Sequence, residues 1–195
     1  MSTKISGVIL AGGLGRRMGG VDKGLQELSG KAMAQWAIER LRPQVDELFI
    51  NANQNLDTYA RYGLPVYPDV VGGFAGPLAG LHVALSKAVH PLVATVPCDS
   101  PFLPGDLVRR LAAALDRDGS DLAVARTEGQ VHPVFCLCGR VLLPHLAAFL
   151  DGGGRKVDLW YSTLKVSIVD FDDEATAFSN INTPDELAQH AQLTR

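Results

Sequence analysis

Ile5-Ser6-Gly7-Val8-Ile9-Leu10-Ala11-Gly12-Gly13-Leu14-Gly15-Arg16-Arg17-Met18-Gly19-Gly20-Val21-Asp22-Lys23 decides the reading of this chain. Ile5–Ala11 carries no charge and reads as a buried strand that runs straight into a glycine-rich turn. Glycines let a backbone turn tightly and bring its N–H groups against an anion. Arg16, Arg17 and Lys23 add full positive charge close by. A strand, such a turn and a basic cluster together point to a phosphate chain. No Gly-Lys-Ser/Thr closes the loop, so it is not the usual P-loop. The dinucleotide fingerprint also fails, because Gly12 and Gly13 are adjacent and a frame set from Gly13 ends on Met18. The competing reading is a tight turn with exposed basic residues.

Outward from this stretch, apolar runs alternate with amphipathic segments. Met33, Trp36, Ala37 and Leu41 sit at helical spacing in 32–41, and Pro43 stops that helix. Residues 48–51 and 64–67 read as strands, the second leading to Pro68-Asp69. Pro77 opens a helix expected to carry Leu78, Leu81, Leu85 and Val89 on one face. Residues 92–96 form an uninterrupted apolar strand, and 104–115 a helix with Leu107, Leu111 and Leu115 at its core positions. Strands are expected at 122–125, 134–137 and 166–169. Thr183-Pro184-Asp185-Glu186 is a capping box that starts a helix to about residue 192. The alternation implies an α/β fold, a mostly parallel sheet with helices on both faces, and 1–195 reads as one domain. In such sheets the ligand lies beyond the carboxyl ends of the strands. Gly12, Asn51, Asp69 and Asp99 each fall just there.

A formal net charge of −3 gives no footprint for nucleic acid or an anionic membrane. The hydrophobic share of 47% supports a sizeable core, and no apolar run is long enough to span a bilayer or serve as an export signal. Three cysteines, an odd number, argue for a reducing cytoplasmic setting. Cys136 and Cys138 are expected as buried small hydrophobes on one strand face.

Leu10-Ala11-Gly12-Gly13, then Arg17-Met18-Gly19-Gly20, then Asp22-Lys23-Gly24 resembles the signature of the molybdenum cofactor guanylyltransferases. More loosely it is similar to the wider nucleotidyltransferases, among them sugar-phosphate and pterin cytidylyl enzymes. Those relatives commonly show Leu-Ala-Ala-Gly, so Gly12 favours the guanylyl branch. The resemblance extends through Asn51-Ala52-Asn53, Pro68-Asp69, Gly76-Pro77-Leu78-Ala79-Gly80, Cys98-Asp99-Ser100-Pro101 and Asn180-Ile181-Asn182-Thr183-Pro184, in order, across residues 8–187. It departs after Gly30-Lys31, where Ala32-Met33 replace the usual Pro-Leu.

The resemblance implies a three-layer Rossmann-like nucleotidyltransferase that moves GMP from GTP to the phosphate of molybdenum-molybdopterin, releases pyrophosphate and uses Mg²⁺. It implies GTP contacts from Leu10, Ala11, Gly12, Gly13, Lys23, Asn51, Asp69 and Asp99. Lys23, Arg17 and Asp99 would act on the reacting phosphates, with Asp99 also on the metal. Gly76, Pro77, Arg155, Lys156, Asn180 and Asn182 would face the pterin, with His132 a weaker candidate on that side. Transient contacts with molybdenum-insertion or target-enzyme chaperone proteins are also implied. The residues by themselves leave other roles open: a turn aspartate at Asp69 or Asp99, a polar strand end at Asn51, helix capping at Asn182, a solvated pair at Arg155-Lys156. The nucleophile is an anionic phosphate oxygen, which suits a sequence with no Ser/His/Asp or Cys/His constellation. The competing functions are a cytidylyl or sugar-phosphate nucleotidyltransferase of the same fold and a non-catalytic nucleotide-binding delivery protein.

Overall fold

The computed structural model describes residues 3–13, 22–71 and 76–179. The strands are β1 (Ile5–Ala11), β2 (Glu27–Leu28), β3 (Lys31–Ala32), β4 (Glu47–Ala52), β5 (Val66–Tyr67), β6 (Leu92–Pro97), β7 (Leu122–Thr127), β8 (Gln130–Gly139) and β9 (Val166–Asp170). The helices are α1 (Met33–Leu41), α2 (Leu56–Ala60), α3 (Pro77–Lys87), α4 (Leu107–Asp118), α5 (Leu143–Asp151) and α6 (Val157–Tyr161). Seven strands form one sheet in the order β5-β4-β1-β6-β8-β7-β9, and β2-β3 is a separate small hairpin.

The first strand sits at the switch point. It pairs in parallel with β4 on one side and with β6 on the other, so the chain leaves it in opposite directions. The register places Leu10 beside both Asn51 and Pro97, and Asn51 beside Tyr67. Four strand ends therefore finish at one level. Cys98 N–H donates to Leu10 C=O at 3.1 Å, which carries the β1–β6 pairing just past the strand and sets Asp99 beside the turn at Gly12.

Alternation along β1 divides the core. Ile9 and Ala11 pack with α1, α2 and α4, through Ala37, Ile38, Tyr59, Val108 and Leu111. Val8 packs on the other face with α3, α5 and α6, through Leu81, Leu85, Leu146 and Trp160. Helices thus cover both faces, as the sequence leads one to expect. Among the described residues, no helix is long and apolar enough to cross a membrane. Cys136 and Cys138 are buried on one face of β8, as expected.

Three expectations change. Val89 lies beyond the end of α3 and is 64% exposed, because the helix stops at Lys87 and Ala88 turns extended. The strand expected at 134–137 is longer and runs antiparallel to both neighbours. Glu128 and Gly129, both at positive φ, make the two-residue turn that reverses it out of β7. Helices α2, α5 and α6 fall in stretches that gave no helical reading. The helix expected from Thr183 lies outside the described residues.

Trp160 is wholly buried, and its indole N–H donates to His145 Nδ1 at 3.0 Å. Trp160→Ala should lower the unfolding free energy by about 3–5 kcal/mol in a urea titration. A loss under about 1 kcal/mol would show that α6 contributes little to this face.

Candidate active site

Two clusters meet at the rim made by the ends of β1, β4, β5 and β6. The first is built on a carboxylate. Asn51 and Asn53 are two apart on and just beyond β4, so their side chains share a face. Asn51 Nδ2 donates to Asp69 Oδ1 at 2.8 Å and Asn53 Nδ2 donates to Asp69 Oδ2 at 2.8 Å. The Asp69 backbone N–H returns a bond to Asn53 Oδ1 at 2.8 Å. Asn51 Nδ2 also donates to Tyr67 C=O at 3.1 Å, and Asn53 Nδ2 to Gly12 C=O at 3.1 Å. Each carboxylate oxygen is thus held by one amide donor, which leaves each a further lone pair for a ligand.

Space around this group is made by glycine. A Cβ on Gly12 would lie 2.8 Å from Asn53 Nδ2 and 3.2 Å from Asn51 Oδ1. A Cβ on Gly80 would lie 2.7 Å from Asn51 Oδ1 and 3.0 Å from Leu10 Cδ2. Gly12 on the turn and Gly80 in α3 therefore let the turn and the helix close on Asn51, which is 1% exposed. The helix begins at Gly76, whose φ of 58° favours glycine, and Pro77 follows in its first turn. Pro77 lines a shallow apolar groove with Leu10, Leu81, Val134 and Tyr161.

The second cluster is cationic and acidic. Lys23 Nζ lies 3.2 Å from Asp99 Oδ2, with both side chains largely shielded. Lys23 opens a short 3₁₀ turn, Lys23–Leu25, capped by Asp22. Cys98, next to Asp99, is buried, and burial first, then the Asp99 charge, push its thiol well above its ordinary pKa. It remains a thiol and is no nucleophile at neutral pH. Among the described residues, no group of three or more His, Cys, Asp or Glu makes a ready metal cage. A single carboxylate at the strand ends is nonetheless a donor set that suits Mg²⁺, which takes one or two carboxylates and fills its shell with phosphate oxygens and water.

The MobA-like NTP transferase domain model matches residues 7–164. This chain belongs to that family. Among similar MobA-like proteins, the molybdenum cofactor guanylyltransferase of Cupriavidus necator is 53% identical over 191 residues, 95% of this chain and 96% of that protein. The one from Shewanella amazonensis is 50% identical over 189 residues, 97% of this chain and 96% of that protein. A crystal structure of molybdopterin-guanine dinucleotide biosynthesis protein A from Archaeoglobus fulgidus superposes with a TM-score of 0.81, at 24% identity, over 97% of this chain and 98% of that one. The 2-C-methyl-D-erythritol 4-phosphate cytidylyltransferase of Thermus thermophilus shares the fold, with a TM-score of 0.71 at 20% identity and full coverage of both chains. The MobA-like chain is a nucleotidyltransferase, an enzyme.

Of the residues singled out from sequence, Leu10, Ala11, Gly12, Lys23, Asn51, Asp69 and Asp99 come together at this rim. Gly13 is exposed at its edge. Arg17, Asn180 and Asn182 lie outside the described residues. Arg155 stands elsewhere: its Nη1 donates to the carbonyls of Leu150 and Gly154, both at 2.7 Å, closing the end of α5. Lys156 is the exposed residue before α6. His132 stacks on Phe178 and its Nε2 meets Thr127 Oγ1 at 2.6 Å; burial lowers its pKa below the ordinary imidazole value. Sequence reading gave no individual role to Asn53 or Gly80. The Asn-x-Asn spacing on a strand was the available signal for Asn53; Gly80 needed the packing of α3.

Alanine in place of glycine inside a helix ordinarily stabilises by roughly 1 kcal/mol. At Gly80 the sign should reverse, with Gly80→Ala losing about 1–2 kcal/mol because its methyl displaces Asn51. A stabilised variant in chemical denaturation would show that Asn51 yields freely.

Proposed function

We propose that this MobA-like enzyme transfers GMP from GTP to the terminal phosphate of molybdenum-molybdopterin. The observation that carries the choice of base is the Asp69 carboxylate, fixed in plane by Asn51 and Asn53. Guanine presents two adjacent donors, N1–H and the N2 amino group, on one edge. Cytosine and adenine present a ring acceptor beside their amino group, and uracil flanks one N–H with two carbonyls. A carboxylate held by one amide donor on each oxygen, with a further lone pair on each, therefore suits guanine. Asn51 shares the recess between Gly12 and Gly80, and Leu10 and Ala11 bring the turn of Gly12 and Gly13 to it.

In the reaction, an oxygen of the pterin phosphate forms a bond to the α-phosphorus of GTP. The bond from that phosphorus to the bridging oxygen of the β-phosphate breaks, and pyrophosphate carries the electron pair away. The nucleophile is already an anion, so no side chain need take its proton. The work left to the protein is positioning and charge neutralisation. The turn amides at Gly12 and Gly13 face the phosphates, the Lys23 ammonium steadies charge on the α-phosphate or the leaving group, and Arg17 adds a second cation. Mg²⁺, held by Asp99 with phosphate oxygens, would supply Lewis-acid screening between the two anions. Gly76, Pro77, Lys156, Asn180 and Asn182 remain the acceptor-side candidates. Arg155 joins them only by releasing its two carbonyls. The setting is cytoplasmic, with transient handover from molybdenum-insertion or chaperone proteins.

Pyrophosphate release with molybdenum-loaded pterin and GTP, CTP or ATP tests the reading. GTP should give the dominant rate, and a larger rate with CTP would assign the chain to the cytidylyl branch. Lys23→Ala should lower kcat by about 10²-fold, the scale of losing one charge-stabilising donor. Near-normal turnover would remove Lys23 from the chemistry. Asp69→Ala should raise the GTP Kd by about ten- to a hundredfold, the scale of lost hydrogen bonds to a charged group, and flatten the preference over ATP. Selectivity kept intact would place base recognition elsewhere.

A further inference from the structure

The segment that carries Lys23 is held by α2, whose Tyr59 packs with Ile9 and Ala11 on the face of the sheet opposite Val8 and α3. Asp22 Oδ1 accepts the Tyr59 hydroxyl at 2.6 Å and the Gly24 N–H at 3.2 Å. Asp22 Oδ2 accepts from Asn55 Nδ2 at 3.0 Å. Tyr59 lies on α2, and Asn55 is the left-handed residue just before that helix. The two are four residues apart, a spacing that stacks them on one helical side.

Tyr59 is wholly buried in the core beneath Ala11 and Ala52. A buried phenol ordinarily finds a hydrogen-bond partner. Here the partner is a carboxylate, which makes the bond short and charge-assisted. Burial first, with neighbouring Cys98 and Asp22 adding to it, raises the pKa of Tyr59 far above its ordinary value, so it stays a donor. Gly24 completes the fit. A Cβ there would lie 2.4 Å from Tyr59 Oη and 3.0 Å from Cys98 Sγ. The backbone at Gly24 therefore lies flat on both groups. Lys23 sits between one residue bonded to Tyr59 and another resting on it. Its ammonium meets Asp99, the residue after Cys98.

We infer that Tyr59 is a positioning residue for nucleotidyl transfer: through Asp22, and with Asn55, it fixes the backbone from which the Lys23 ammonium reaches the reacting phosphates beside Asp99. The inference rests on the proposed role of Lys23. Its mark is an effect on turnover that exists only while Lys23 is present. A tyrosine that merely satisfied its own hydroxyl would alter stability and leave that dependence absent.

The experiment measures pyrophosphate release with GTP and the pterin acceptor for wild type, Tyr59→Phe, Asn55→Ala, Lys23→Ala and the double variant Tyr59→Phe/Lys23→Ala, with thermal unfolding of each. Tyr59→Phe should lower kcat about tenfold while the KM for GTP moves less than about threefold. Asn55→Ala, at an exposed position, should lower kcat by about threefold, which keeps the test intact should the phenylalanine variant fold poorly. In the Lys23→Ala background, Tyr59→Phe should cost less than about twofold, the non-additivity expected of residues acting through one another. Wild-type kcat in both Tyr59→Phe and Asn55→Ala, or the same tenfold loss with Lys23 removed, would overturn the inference and leave the GTP reaction standing. No GTP-dependent pyrophosphate release by the wild type would overturn the reaction, and this inference with it.

Discussion

A buried side-chain amide is costly unless it is hydrogen-bonded, and Asn51 is such an amide at the end of a central strand. Its donors are met by Tyr67 C=O and by Asp69, both supplied from the end of β5. That requirement ties the edge strand to β4 and draws Asp69 inward over the sheet. It also explains why β5 can be as short as Val66–Tyr67: much of what holds this edge is the amide network beyond the strand. Gly12 and Gly80 follow from the same constraint, since a methyl group at either would strike Asn51 or Asn53.

The rim is organised from both faces of the sheet. Asn51, Leu10 and Gly80 belong to the side covered by α3. Asp22, Gly24 and Tyr59 belong to the side covered by α1, α2 and α4. The two halves join at the turn of Gly12 and at Cys98-Asp99, where β1 and β6 end together. The split sets fixed hydrogen-bonding groups, Asn51, Asn53 and Asp69, on one side and the Lys23–Asp99 pair on the other. Rigidity comes from the parallel ladder between them, which is what catalysis by positioning requires.

The sequence showed the framework wherever period and punctuation agreed. The apolar run before Gly12, the helix from Met33 to Leu41, the proline at Pro77 and the strand before Pro97 all folded as their patterns indicate. Helix α4 extends past Leu115 to Asp118, where Gly119 ends it in a left-handed conformation. What stayed hidden depends on contacts distant in sequence. Helices α2 and α6 each run for five residues, too few to show a period, and both are held by tertiary packing, Tyr59 in one and Trp160 in the other. The reversal of β8 rested on Glu128-Gly129, a turn signal that is weak without knowing both flanking runs are strands. At the candidate site, Asp69 and Asp99 were legible because they follow strands, whereas Asp22 and Tyr59 are linked by 37 positions and only folding joins them.

The antiparallel strand has a consequence for the same rim. A parallel strand beside β6 would present its carboxyl end there; β8 presents its beginning instead. Opposite β7 the pairing jumps from Val124–Cys136 to Ala125–His132, so Pro133, Val134 and Phe135 bulge out of the ladder. Pro133 has no N–H to give a ladder, which suits a bulge. The freed carbonyls are met by side chains: Thr95 Oγ1 donates to Val134 C=O at 2.7 Å and the Tyr161 hydroxyl to Pro133 C=O at 2.7 Å. These contacts close the groove between α3 and α6 with apolar surface and no unpaired backbone at those two points. The switch point at β1 thus has a polar, amide- and carboxylate-lined flank toward β5 and an apolar, bulged flank toward β8. A planar ring system carrying its own phosphate would meet apolar walls on that second flank while its phosphate turned toward Lys23 and Asp99. The sheet's one reversed strand is in this way what makes its two flanks chemically different.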